Sequence, residues 1–271
     1  MNAAVRPIVC WIAVAAIAMA AAGLALAQRL EFEVASVKVN TTNGPIDAVP
    51  RRSGDLITMH NTRPFSIVYY AYHLNGNYQM AGYDKLPDSL GLGWFDIDAR
   101  AGRDATDDQV RLMFQSLMED RFKLKAHRET RDMPEYELAI AKDKSKLVPS
   151  HGDEPMTVTI EEKRITQPPG TCTTSMWREG SHLICHAAPM EKIIAQVSGS
   201  TQTPVVDRTG LTGTYDLNVL YVPDDRRLNA ETESGPSLAA ALQEELGLKL
   251  EKGKGPVEVL VIDHLEKPSP N

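Results

Sequence analysis

The sequence predicts an α+β fold made of two related βαββαβ units, an internal duplication, and three observations carry that prediction. The same order of apolar patterns (strand, helix, strand pair, helix, strand) occurs over residues 54–141 and again over 180–264. A histidine, a proline and four apolar positions recur in order near the start of each pass. An aromatic residue followed by aspartate then marks a matching strand in both, Trp94-Phe-Asp-Ile-Asp98 and Thr214-Tyr-Asp-Leu-Asn218.

Ahead of the first pass, Phe32-Glu-Val34 and Val37-Lys-Val39 have the pattern of a strand. Leu56, Ile57 and Met59 then form an extended run ending at His60. Thr62 is placed to cap the next helix, with Pro64 in the first turn, where a missing N–H costs nothing. Phe65, Val68, Tyr69 and Tyr72 stand at i, i+3, i+4 and i+7 and predict its apolar face. After the 94–98 strand, Thr106 and Gln109 have capping-box spacing. Val110, Met113, Phe114, Leu117 and Met118 follow as the stripe of a second helix. Phe122-Lys-Leu124 leaves that helix, and residues 136–141 close the unit as an apolar strand.

In the second pass, Leu183, Ile184 and Cys185 form the extended run, which ends at His186. Pro189 opens a helix carrying Met190, Ile193, Ile194 and Val197, one residue out of step with the first unit. Leu238, Ala241, Leu242 and Leu246 mark the last helix, with Gly247 as its C-cap. Leu248-Lys-Leu250 and a closing strand over 257–262 complete the pass. Residues 143–179 are rich in proline, charge and Ser/Thr and read as a connector, and 223–235 as a polar loop. The expected organisation is a signal over 1–27, a first unit over 28–142, a connector over 143–179 and a second unit over 180–271.

Residues 7–26 are apolar behind Arg6, and Ala25 and Ala27 place small residues just before Gln28. That is the pattern of a cleavable secretory signal, so the mature chain is expected in the periplasm or outside the cell. The run 8–27 is also long enough to span a bilayer if retained. The charged Arg29-Leu-Glu31 that follows favours cleavage, which leaves no stable membrane span. Net charge is −7 and becomes one unit more negative once Arg6 is removed. An acidic exported chain lacks the basic footprint of a nucleic-acid binder. Beyond the signal only Cys172 and Cys185 remain. An even count in an oxidising compartment predicts one disulfide, with two free thiols as the alternative. Closing a loop of about 14 residues contributes on the order of 3 kcal/mol in chain-entropy terms.

The sharpest local signal is Asp207-Arg-Thr-Gly210. Asp207 and Arg208 are the candidate ligand-binding residues. The competing reading is a turn in which Gly210 and Gly213 supply permissive backbone angles and the charges pair internally. Arg208-Thr-Gly210 is similar to the Lys-Thr-Gly of penicillin-recognising enzymes, but no serine has lysine three positions later, as those enzymes require. His182, Cys185 and His186 are weighed as metal ligands and set aside. On a strand Cys185 faces away from the two histidines and is better used with Cys172. Both histidines are then expected as solvated strand residues. His60 reads as a strand-end residue, and His127-Arg-Glu129 as a solvated charged face. Tyr69, Tyr70, Tyr72, Tyr78 and Tyr83 read as a core edge rather than a sugar-binding floor. The chain carries no metalloprotease, nucleophile-elbow, phosphate-loop or dinucleotide pattern. No catalytic residue, metal or cofactor is therefore assigned.

Three stretches together resemble a soil-associated family of exported bacterial proteins, common in acidobacteria and without an assigned activity. They are Phe32-Glu-Val-Ala-Ser-Val37, Arg121-Phe-Lys-Leu124 with His127-Arg-Glu129, and the segment from Val206 to Asp216. The closing stretch from Gly255 to Ile262, with Glu266-Lys-Pro268, fits it too. Similar regions occur fused to antibiotic-sensor-type membrane metallopeptidases, which implies an extracytoplasmic sensing or docking role for those fusions; an envelope protein or membrane peptidase is the expected partner here. In pattern alone, each unit is similar to the short N-terminal domains of secretins and TonB-dependent receptors. The expected function is a non-catalytic envelope module that binds a protein, peptide or cell-wall component at sheet edges or in the groove between the units. The alternative is an extracytoplasmic hydrolase with dispersed catalytic residues.

Overall fold

The computed structural model describes residues 29–42, 44–86, 93–142, 144–150, 152–227 and 235–268. The expected signal over 1–27 lies outside them. The first half of the chain runs β1 (Val34–Val39), β2 (Arg51–Ser53), β3 (Leu56–Thr62), α1 (Pro64–Ala71), β4 (Met80–Ala81), β5 (Phe95–Arg100), α2 (Asp107–Arg121) and β6 (Lys125–Ile140). Then come β7 (Val148–Pro149), β8 (Met156–Ile160), β9 (Lys163–Gln167) and β10 (Thr171–Trp177). The second half runs β11 (Gly180–Pro189), α3 (Met190–Thr201), β12 (Val205–Asp207), β13 (Thr214–Tyr221), α4 (Asp224–Arg227), α5 (Leu238–Leu246) and β14 (Leu248–His264). The fold is α+β. No helix among the described residues is long and apolar enough to cross a membrane.

Each half has its own antiparallel sheet, ordered β1-β5-β3-β2 in the first and β10-β11-β13-β7 in the second. Residues 143–179, expected as a connector, therefore hold strands: β7 and β10 form both edges of the second sheet, and β8 pairs with β9. The loop expected over 223–235 opens with the short helix α4, and 228–234 lie outside the described residues. The disulfide pairs Cys172 with Cys185, which are direct cross-strand neighbours on β10 and β11. It staples β10 to β11 within one sheet.

A third sheet, ordered β12-β6-β14-β4, joins the halves. β6 and β14 are 16 and 17 residues long and pair antiparallel along their whole length. At about 3.3 Å per residue each reaches past one core into the other. Leu124, just before β6, and Ala126, at its start, pack with the first core, whereas Leu138 near its end is buried in the second. β14 does the reverse: Leu248 is in the second core, and Leu260 and Ile262 are in the first. The apolar closing strands expected over 136–141 and 257–262 are thus exchanged, each serving the other half's core. The short strands follow the same exchange. β4 runs parallel to β14 at Leu260 and Val261, and β12 runs parallel to β6 at Tyr136–Leu138.

Both halves carry a β-bulge where the first strand turns into its helix. The β3–β5 register shifts between Met59 and Thr62, and the β11–β13 register between Cys185 and Ala188. Asn61 and Ala187 sit there at φ +48° and +44°. The Asn61 N–H donates to Asp96 Oδ1 at 2.8 Å, and the Ala187 N–H to Asp216 Oδ1 at 2.8 Å. The aspartate of each aromatic–aspartate pair therefore holds a left-handed residue that would otherwise leave a backbone donor unpaired.

Helix α1 begins at Pro64 and α3 at Met190, each three residues past its bulge, and Pro189 is the N-cap of α3. The one-residue slippage read from the prolines disappears in this frame. With it the buried face of α1 rotates: Pro64, Ile67, Val68 and Ala71 are buried, while Tyr69 and Tyr72 only border the core. Thr62 does not cap α1, whose N-cap is Arg63 without a side-chain cap bond. The other helices follow expectation. Thr106 and Gln109 form the capping box of α2, whose stripe from Val110 to Met118 is buried. Gly247 ends α5 at φ +66°.

Candidate functional site

A cleft of about 530 Å³ opens where the halves meet the long ribbon. One wall comes from the turn after α1, with His73, Asn75, Tyr78 and Gln79. The opposite wall comes from α3 and β12, with Glu191, Lys192, Ala195, Ser198 and Asp207 among its residues. Glu135 of β6 and Pro256 to Glu258 of β14 line it between them. The volume is that of a small-molecule or side-chain site.

Glu135 is the least expected residue in this cleft. It is 7% exposed, and among the described residues its carboxylate has neither a hydrogen bond nor an ion pair. Its cross-strand partner is Gly253. A Cβ at Gly255 would lie 2.6 Å from both carboxylate oxygens, so glycine on β14 is what makes room for the side chain. Buried charges are ordinarily paired, and one left open to a cleft is an acceptor without a donor. The sequence pattern does not single out Glu135, because alternation on a strand does not reveal which acid lies under a neighbouring glycine.

The remaining charges of the cleft are unequal in sign. Glu191, Asp207 and Glu258 join Glu135 against Lys192. Glu258 is engaged by Arg128. Burial first, then the positive charges of Arg111 and Lys192, push His73 below the ordinary histidine value, so its ring is neutral at pH 7. Burial raises the Tyr78 hydroxyl against a counteracting hydrogen bond to Ser198. The Ser198 hydroxyl also accepts the Val205 N–H at 3.1 Å. The cleft can therefore offer carboxylate acceptors and a phenol, beside the uncharged ring of His73.

Asp207 and Arg208 are only partly united with this site. Asp207 lines the cleft, but its Oδ1 accepts the Thr209 N–H at 2.8 Å and the Thr209 hydroxyl at 2.7 Å. Arg208 pairs with Glu137 at 3.3 Å on the exposed surface. Gly210 and Gly213 take φ +65° and +110° in the turn that follows. Among the described residues no group of three or more acids, histidines and cysteines is arranged to hold a metal ion.

His186, expected as solvated, is 6% exposed. Its Nδ1 lies 2.8 Å from Asp216 Oδ1 and its Nε2 lies 2.8 Å from the Glu154 carbonyl oxygen. Two acceptors require both ring nitrogens to donate, which describes the imidazolium. Burial opposes that charge, but the bonds to Glu154 and Asp216 outweigh it and raise the pKa. The Asp216 carboxyl is held below its usual range: burial opposes this, and the Ala187 N–H, Ser150 and His186 overcome it. Its counterpart His60 is exposed and reaches Asp98 at 3.1 Å. His127 is likewise exposed and reaches Asp263 at 2.7 Å. The five tyrosines do not form one floor: Tyr69, Tyr70, Tyr72 and Tyr83 border the first core, and Tyr78 stands in the cleft.

The chain belongs to the family described as "Protein of unknown function (DUF3738)", which matches residues 66–265, from within α1 to just past the end of β14. No curated protein and no solved structure matches it.

Proposed function

We propose, from membership of this family as the premise, that the protein is an exported, non-catalytic envelope module that holds a protein, peptide or cell-wall component in the cleft between its halves. The observation that carries this reading is the make-up of the cleft: both halves and both ribbon strands contribute walls, so the site exists only in the assembled molecule. The expected signal over 1–27 and the Cys172–Cys185 bond support an oxidising compartment. The likeness in pattern to secretin and TonB-receptor modules, and the fusions to membrane metallopeptidases, support an envelope protein or membrane peptidase as partner. The test is affinity capture from envelope extracts with the full mature chain and with Ala195→Trp, which fills the cleft. Capture by the parent and not by the variant, at matched melting temperature, supports the reading; equal capture by both refutes it.

The competing hydrolase has one residue in its favour, the neutral imidazole of His73 in the cleft. The nearby Ser198 hydroxyl is committed to the Val205 N–H and Tyr78, and His186 has no free ring nitrogen. Turnover of a peptidoglycan digest that is abolished in His73→Gln would move the protein to that class.

We also infer that the two halves descend from one duplicated βαββαβ unit. The paired bulges, each with a left-handed residue held by the aspartate of the facing strand, support it more directly than the repeated apolar pattern does. An experimental structure should superpose Ile57 on Leu183 and Phe95 on Tyr215. Failure to do so over both helices of each half overturns the inference.

A further inference from the structure

We propose that the cleft between the halves is a site for a primary ammonium group, with the Glu135 carboxylate as its anchor. The inference rests on the cleft being the binding site and adds the chemistry of what enters it. Three observations converge. Glu135 is more than nine-tenths buried, has no hydrogen-bond or ion-pair partner among the described residues, and faces the cleft. The glycine at 255 leaves both of its oxygens the space a Cβ would take. Around it, Glu191 and Asp207 add negative charge, Lys192 is the only fixed positive charge among the described residues that line the cleft, and His73 is neutral.

An acceptor-only group in such surroundings selects a donor-only cation. A carboxylate or phosphate would meet repulsion and leave Glu135 unsatisfied, and a neutral ligand would leave its charge uncompensated. An ammonium supplies three N–H donors, enough for Glu135 together with neighbouring acceptors such as the Tyr78 oxygen. The volume of about 530 Å³ accepts the chain that bears the ammonium as well as the ammonium itself. The ammonium can be that of a free amine or of a lysine-type side chain in a peptide.

The test is fluorescence anisotropy with dansylcadaverine as the primary-amine probe and its N-acetylated form as the neutral control, on the full mature chain. Saturable binding of the amine and not of the acetylated form is expected. Glu135→Gln should weaken it on the order of tenfold or more, since a charge-assisted hydrogen bond is lost. Gly255→Ala keeps the charge but pushes the carboxylate from its place, and should weaken binding in the same direction. It guards against misreading a Glu135→Gln chain that simply fails to fold. Competition by acetyl-Gly-Lys-Gly-amide assigns a peptide-borne ammonium, and competition by unlabelled cadaverine alone assigns a free amine; both support the proposal. Equal affinity for amine and acetylated probe, no amine binding, or unchanged affinity in both variants overturns it. If envelope capture is still lost in Ala195→Trp, the binding-module reading survives that failure.

Discussion

His186 sits between two acceptors under the segment that leads into β8, so its charge is part of what holds that segment down. The sign of the pH dependence follows from the raised pKa. Its contribution is fully present below the ordinary histidine value of about 6.5 and is lost as pH rises through the folded value. The melting temperature of the parent should therefore fall across that window relative to His186→Gln, whose own profile should be flatter there. At pH 5.5 the substitution should cost roughly 1–3 kcal/mol. A parent profile that is flat or rising through the window would contradict the doubly donating ring. Arg208 is the opposite case. Its partner Glu137 is at 3.3 Å, with the two side chains 56% and 36% exposed, so Arg208→Ala should cost at most about 1 kcal/mol in thermal or urea unfolding. A larger loss would mean that the pair is more than a surface contact. The environment of His186 was not readable in advance. Both histidines precede a bulge in the same pattern, and only the segment that folds over His186 separates them.

The helices and strands were the most legible level, and the reason lies in their local codes. In α2 the capping box, the acidic first turn of Asp107 and Asp108 and a 3.6-residue stripe agree, so the residues expected to be buried are buried. Thr106→Ala should cost about 1 kcal/mol, measured by urea unfolding; no change would mean the cap is redundant. In α1 the signals conflicted. Phe65, Tyr69 and Tyr72 offer a face of large rings at helical spacing, yet the left-handed Asn61 sets where the helix starts and turns Ile67, Val68 and Ala71 inward. The rings that lose the core pack on one another instead: Phe65 stacks on Tyr69 at 5.9 Å and meets Tyr83 edge-on at 5.3 Å. The strands of 143–179 were missed because edge strands rich in Thr, Ser and charge carry little alternation for a reader to find.

At the scale of the whole molecule, the sequence shows two passes but not the exchange between them. A closing strand looks the same whether it returns to its own sheet or crosses to its neighbour's, and only the length of β6 and β14 hints at the second. The exchange makes each core depend on a strand from the other half, so the halves should unfold together. Within residues 28–271, Trp94→Phe leaves Trp177 as the tryptophan reporter of the second half, and Trp177→Phe leaves Trp94 as that of the first. Their fluorescence midpoints in urea should coincide once each variant's own stability is matched by far-UV circular dichroism. Two separated transitions would show that the ribbon does not couple the cores.

The same interlock places Glu135 and its glycine neighbours between the halves, at the cleft. Hydrogen exchange on the full mature chain, with and without the component captured from the envelope, tests that claim most directly. Exchange is expected to slow in the turn over 73–79, at the start of α3 and across 256–258, three of the stretches that wall the cleft. Protection confined to sheet edges such as β2 or β10, with these stretches unchanged, would contradict it.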